Sequence, residues 1–318
     1  MGTACQDGLP VPHEILAAIL GHLDPVDSVA ASRVQRIWRA LAPPPAPFDA
    51  AYAARLAARG HLGVLQWARR NGCSWNAHVC ACAAEAGHLC IVQWLHTNGC
   101  PWDALTCARA ARGGHLEVLC WLRANGCPWG GWTCSYVARA GRFGVLRWLH
   151  ANGCPWDWQT CSAVAKAGHL ETLKWLHANG CPWDEETCDQ AASGGHIEVL
   201  CWLHANHCPW RSSACAGAAE GGHLGVLQWL HANGCPWDHE VCADAAQGGH
   251  LQILQWLRAN GCPWNSLTCT RAAKRGHLAV LQWARANGCP WDATTCAYAA
   301  GGGHLEVLQW LAQRLPLG

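Results

Sequence analysis

The sequence predicts an all-α protein: a short group of N-terminal helices, then a solenoid of ten stacked helix pairs. Three observations predict it. A Gly recurs every 27 residues from Gly60 to Gly303, and a Trp keeps the same step from Trp67 to Trp310. Each unit of the repeat holds two sets of helix start and stop signals in the right order. Within each set, apolar residues fall at i, i+3 and i+4, the spacing of a helix with a buried face.

Composition agrees with this reading. The chain has 318 residues, of which 51% are hydrophobic and 14% charged, with a net charge of +1. That is enough apolar surface for a long core, and it excludes a disordered or acidic-tail protein. So small a net charge gives no bulk attraction to nucleic acid, which is therefore not an expected partner. No apolar run reaches the roughly 18 residues of a membrane span, and the N-terminus lacks a basic segment leading into a long apolar one. The expectation is a soluble intracellular protein, cytoplasmic or nuclear, without a membrane partner. Met1 to Gln6 half matches a myristoylation signal but has Gln6 where Ser or Thr is wanted, so no lipid anchor is expected.

In chain order, residues 1–42 come first and are not repetitive. Leu9 to Leu23 places Ile15, Leu16, Ile19, Leu20 and Leu23 at helical spacing. A second run, Asp27 to Leu41, does the same with Val29, Val34, Trp38 and Leu41, and Asp27 can cap it. Residues 43–47, Pro-Pro-Pro-Ala-Pro, form a stiff boundary that no helix crosses. Ten units of 27 then fill residues 46–315, and residues 316–318 are a tail. The first unit is the least typical, with Ala46, Phe48 and Ala53 where later copies have Cys, Trp and Cys, as a terminal repeat should be.

The unit from Cys100 to Gly126 shows why each helix forms. Asp103 is an N-cap, with Trp102 before it and Cys107 at the spacing of a hydrophobic staple. Cys107, Ala110 and Ala111 share one face and are small enough for close helix packing. Gly113 and Gly114 end this first helix. The second starts near His115 and stops at Asn125-Gly126, a left-handed cap with Pro128 beyond it. Leu116, Val118, Leu119, Trp121 and Leu122 cover more than half its circumference, which leaves Glu117 and Cys120 facing water.

Two resemblances follow from these residues. The string Ala110 to Leu119, Ala-Ala-Arg-Gly-Gly-His-Leu-Glu-Val-Leu, resembles the core of an ankyrin repeat, and relatives of it recur through all ten units. The period is 27 where ankyrin repeats have about 33, and the residues missing are those of the protruding β-turn finger. Short Trp-rich repeats of this kind are similar to those of large DNA virus and protist proteins, which implies a host-cell setting if the source is viral. The N-terminal segment resembles an F-box: Leu9, Pro10, Glu14, Ile15, Leu16, Ile19, Leu20, Leu23, Asp27, Val34, Trp38 and Arg39 match its pattern, with one extra residue between Pro10 and Glu14 and with Ser28 and Gln35 off it. That resemblance implies docking to a Skp-family adaptor and, through it, a cullin ubiquitin ligase. The competing reading is a helical cap over the first repeat.

Cys and His are the repeated residues with metal-binding or redox chemistry. Eighteen of the 23 Cys lie on the 27-residue grid. Equivalent Cys in adjacent repeats would stand farther apart than the roughly 7 Å a disulfide allows, and Cys100 with Cys107 would tie a loop to the helix it starts. A zinc site would use Cys100, Cys107 and His115, but Arg142 replaces the His while Cys127 and Cys134 stay, and a ligand set should be lost together. Metal and cofactor are therefore not expected, and the Cys read as small buried hydrophobes. The Gly-His histidines read as hydrogen-bonders at helix starts. His96, His150, His177, His204 and His231, alternating with Arg69, Arg123, Arg258 and Arg285, read as a solvated basic edge near helix C-termini. No constellation breaks the period in the way an active site would, so the chain reads as a binding protein and not an enzyme.

Diversity between copies gathers on the first helix, at positions equivalent to 105, 109 and 112. Arg109, Trp132, Tyr136, Trp158, Gln190, Asp244, Arg271 and Tyr298 are the candidate contacts for a protein target, since aromatic and Arg residues dominate binding hot spots. Neutral drift on a tolerant surface is the competing explanation for any one of them.

Overall fold

A computed structural model of the chain describes residues 49–313. The F-box-like residues, the Pro-rich boundary and the tail lie outside the described residues. Among the described residues there are 20 helices and no strand, arranged as repeated helix pairs, as the period predicts. The first helices are α1 (Ala50–Ala58), α3 (Ala77–Glu85), α5 (Ala104–Gly113), α7 (Trp132–Arg139), α9 (Trp158–Lys166), α11 (Glu185–Ser193), α13 (Ser212–Gly221), α15 (His239–Gly248), α17 (Ser266–Arg275) and α19 (Ala293–Gly301). Between them come the second helices α2 (Leu62–Arg70), α4 (Leu89–Thr97), α6 (Leu116–Ala124), α8 (Phe143–Ala151), α10 (Leu170–Ala178), α12 (Ile197–Ala205), α14 (Leu224–Ala232), α16 (Leu251–Ala259), α18 (Leu278–Ala286) and α20 (Leu305–Ala312). The chain divides into two compact units, ending and beginning at Thr133 and Cys134, within α7.

Inside each unit, a first helix packs mainly on the first helices of its neighbouring repeats. Small side chains allow it. Cys107, Ala110 and Ala111 are fully buried, as are Cys188, Ala191 and Ala192 in the second unit. The second helices bury Val118, Leu119 and Leu122 and their equivalents, each worth roughly 1.5–3 kcal/mol on leaving water. Leu116 keeps 38% of its surface exposed, so the apolar arc is narrower than the sequence predicts. Asp103 caps α5 in a capping box with Thr106, as expected. The ring contacts of Trp102 are with His96 and Trp121, so the Trp is fixed against the second helices of two successive repeats.

Four devices join successive repeats. Each second helix before α20 ends on an Asn whose Nδ2 donates to the Trp carbonyl four residues back, at 2.8 Å for Asn233 and Trp229. The next residue turns left-handed, and the residue after it closes the turn, as Cys235 N donates to the Leu230 carbonyl at 3.0 Å. Histidine is the second device, and here the expectation is corrected. His250 makes no side-chain cap to its own helix; its Nε2 reaches the Glu220 carbonyl of the preceding repeat at 2.9 Å. His88, His196, His223, His277 and His304 make the same bridge. It occupies a carbonyl that the end of a first helix leaves without an intrahelical partner.

The third device pairs thiols that lie 20 residues apart, a spacing that comparison of equivalent positions does not test. Cys235 Sγ donates to the Arg211 carbonyl at the start of α13, at 3.2 Å, and accepts from Cys215 on the same helix. That hydrogen bond, then burial, pushes the Cys215 thiol up; the same hydrogen bond holds Cys235 below its ordinary value, against burial, which raises it. Cys80 with Cys100, and Cys269 with Cys289, repeat the arrangement. All the described Cys are free.

The fourth device adds to the solvated-edge reading: His177, His204 and His231 are exposed, as expected, but their rings are also stacked. His177 stacks on Trp183 with ring centroids 3.9 Å apart, and Trp183 meets Trp202 edge-on at 5.4 Å. His96, His150, His204 and His231 stack likewise on Trp102, Trp156, Trp210 and Trp237. Where the copy carries Arg, the guanidinium takes the same place: Arg123 lies 3.8 Å over Trp129, and its Nη1 donates to the Cys127 carbonyl at 2.6 Å. Each such contact contributes roughly 0.5–1.5 kcal/mol beyond area burial. The row is an aromatic ladder that binds consecutive repeats together.

Candidate functional site

With Cys and Ala turned inward, positions 105, 109 and 112 of the repeat are carried outward by the first helices. Exposure falls on the aromatics: Tyr136 is 44% exposed, Trp158 40% and Tyr298 47%. Trp132, half-buried, lies with its Nε1 edge over Gly130, where an added Cβ would meet it at 2.6 Å.

The polar candidates are committed to neighbours. Arg109 Nη1 donates to Glu85 at 3.2 Å and to the Cys82 sulfur at 3.6 Å, and Arg112 pairs with the same Glu85. Gln190 Nε2 donates to Glu186 at 2.6 Å. Arg271 pairs with Asp244 and, at 2.8 Å, with Glu240. Burial raises the Asp244 carboxyl to about 6 against the pull of Arg271, with Glu220 and Glu240 adding to the rise. Asp189 also sits at about 6, raised by burial, while a hydrogen bond from Ser213 opposes the shift.

Three of the predicted residues are brought together. Asp244, Arg271 and Tyr298 line a surface hollow of about 380 Å³ with Lys274. A second hollow of about 410 Å³ shares Lys274 and Tyr298 and adds Arg275, Ala297, Gly301 and Gly302. Arg109 belongs to the first unit and its pair with Glu85. Sequence reasoning passed over Glu85, Glu240, Lys274 and Arg275. A signal was present in the grid: Glu85 with Arg112, and Asp244 with Arg271, are opposite charges at one repeat position in adjacent copies.

Among the described residues, no group of three or more His, Cys, Asp or Glu is placed to hold a metal ion, and no helix is long and apolar enough to cross a membrane.

Comparison with known proteins agrees with the helix-pair reading. The family model described as ankyrin repeats, many copies, matches residues 161–204 and 269–312. Ankyrin repeats are thus found in the second unit, where the all-helical fold is a scaffold of the protein-binding kind. No curated protein matches the chain. Among solved structures it is similar to the pentatricopeptide repeat protein PPR10 in complex with an 18-nt psaJ RNA element, at 17% identity and a TM-score of 0.40 over 90% of this chain and 49% of that one. A cysteine-to-serine variant of the same complex gives the same values. This chain spans about half the length of either.

Proposed function

We propose that the chain is a substrate-recognition adaptor: the first-helix face holds a protein target, and the F-box-like segment docks to a Skp-family adaptor and thereby to a cullin ubiquitin ligase inside the cell. One observation carries the target-binding half. Tyr136, Trp158 and Tyr298 stand exposed on helices whose inner faces repeat from copy to copy, so the frame is held constant while the outward residues differ. Exposed aromatics on a rigid support are what a hot spot requires. The ligase half rests on the residues Leu9, Pro10, Glu14, Ile15, Leu16, Ile19, Leu20, Leu23, Val34 and Trp38, whose apolar members share helical spacing.

Co-purification with a Skp-family adaptor tests the ligase half. Leu16→Asp or Trp38→Ala should abolish capture, and capture that persists in both overturns it. A chain that holds its target but never captures the adaptor would be a scaffold or a decoy for host proteins. Trp158→Ala with Tyr136→Ala should weaken target capture on its own, without touching the adaptor.

A further inference from the structure

Beyond Arg139 on α7 and Lys166 on α9, the first-helix face of the second unit changes sign between α11 and α17. Helices α11, α13 and α15 carry Glu185, Glu186, Asp189, Glu220, Glu240 and Asp244 and not one Lys or Arg. Helix α17 carries Arg271, Lys274 and Arg275 with no acid, and α19 has no charge at all. Part of this is settled within the fold. Arg211 answers Glu185, and Arg271 answers both Glu240 and Asp244.

What remains is unbalanced at both ends. Glu186, Asp189 and Glu220 have neutral hydrogen-bond partners, Gln190, Ser213 and Gln247. Lys274 and Arg275 have no carboxylate partner among the described residues; the Lys274 ammonium stands 5.5 Å from the Tyr298 ring, at the wall of the 410 Å³ hollow. Arg275 also departs from the repeat, since eight of the ten copies have Gly or Ala at its position. Glu220 and Lys274 occupy the same repeat position two copies apart. Packed helices lie roughly 8–10 Å apart, so these charges are separated by roughly 16–20 Å, the reach of about six extended residues.

This pattern selects an occupant. A polyanion such as RNA gains at Lys274 and Arg275 and is repelled by Glu220 two repeats away and by Glu186 and Asp189 three repeats away; a uniformly basic chain meets the reverse. Only a segment that is basic at one end and acidic at the other matches both patches. We propose that this face binds a bipolar protein segment, its basic residues over Glu186, Asp189 and Glu220 and its acidic side chain in the hollow between Lys274, Arg275 and Tyr298. The assignment rests on the reading that the first-helix face holds a protein target, and it names the chemistry of that target.

Fluorescence anisotropy on the full chain provides the test, with four labelled probes: a peptide of two Lys and two Glu separated by six Gly/Ser residues, an all-Lys and an all-Glu peptide of equal length, and a single-stranded RNA. The bipolar peptide should bind about tenfold more tightly than the others, and the margin should shrink as salt rises. Lys274→Glu with Arg275→Glu should remove that margin, as should Glu186→Lys with Glu220→Lys. Combining all four should restore it, because the patches are then exchanged and the peptide can lie in the opposite direction. The inference is overturned by RNA or all-Glu binding as tight as the bipolar peptide, or by affinities that ignore the charge swaps. Target capture that fails with Trp158→Ala and Tyr136→Ala but survives the swaps also overturns it while leaving the broader reading intact.

Discussion

Most repeats contain two left-handed glycine turns, and they are not equivalent. At the end of the first helix, Gly249 has φ +78°, and a Cβ added there would meet the imidazole of His277 at 2.6 Å. At the end of the second, Gly234 also has φ +78°, but nothing lies within 4 Å of an added Cβ. One glycine is fixed by its backbone and by the next repeat. The other is fixed by its backbone alone. The first turn is therefore a joint made through its glycine, while the second joins repeats only through the Cys that follows its glycine, which is why the histidine bridges converge on the first.

The largest expected effect breaks the joint. Gly249→Ala places a side chain in a left-handed conformation, at roughly 1–2 kcal/mol, and also drives the His277 ring off the Gln247 carbonyl, which it now reaches at 3.0 Å. Together these should cost about 3 kcal/mol, read as a lowered urea midpoint, and hydrogen exchange should rise first between α15 and α17. Removing only the bridge is the next step down. His250→Ala should cost about 1–2 kcal/mol, because the Glu220 carbonyl loses its 2.9 Å partner and the ring no longer packs on Gly222. If His250→Ala proved neutral, the joint would owe its rigidity to the glycine alone.

Local features of this fold were legible in the sequence and inter-repeat ones were not. Asp103 as a cap, the Gly turns and the Cys-Ala-Ala face depend on residues within four or five of each other, and a single copy displays them. The histidine bridge spans 30 residues and the thiol pair 20, so they appear only when one copy is set against the next at unequal positions. The ladder had a signal of its own. The residue six before each linker Trp is always His or Arg and never Lys, and in the last copy, where no Trp follows, Ala312 takes its place. A solvated cationic edge has no reason to exclude Lys; a stacked one does, since only imidazole and guanidinium are flat. On the candidate surface, opposite charges at one grid position in neighbouring copies pair Glu85 with Arg112 and Asp244 with Arg271, and Glu85 also takes up Arg109. Single-copy reading assigned Arg109 and Arg271 to a target.

The smallest effects sharpen the comparison from the open turn. Gly234→Ala should cost only about 1 kcal/mol, the backbone penalty without a clash, and a loss equal to that of Gly249→Ala would erase the distinction between the two turns. Nature has run the converse substitution in one copy. His207 stands where the other second-helix turns have Gly, and its φ of 61° makes it the one non-glycine in the left-handed region among the described residues. Because the equivalent glycines have open space around them, the strain at His207 is that of the backbone and not of packing. His207→Gly relieves roughly 1–2 kcal/mol of that strain and gives back part of it, about 0.4–1 kcal/mol, through the freer unfolded chain. The net gain should be about 0.5–1 kcal/mol, visible as a small rise in the urea midpoint with the slope unchanged. A loss of stability instead would mean that the imidazole of His207 makes a contact worth more than its strain, and the open turn would then carry a joint of its own in that one repeat.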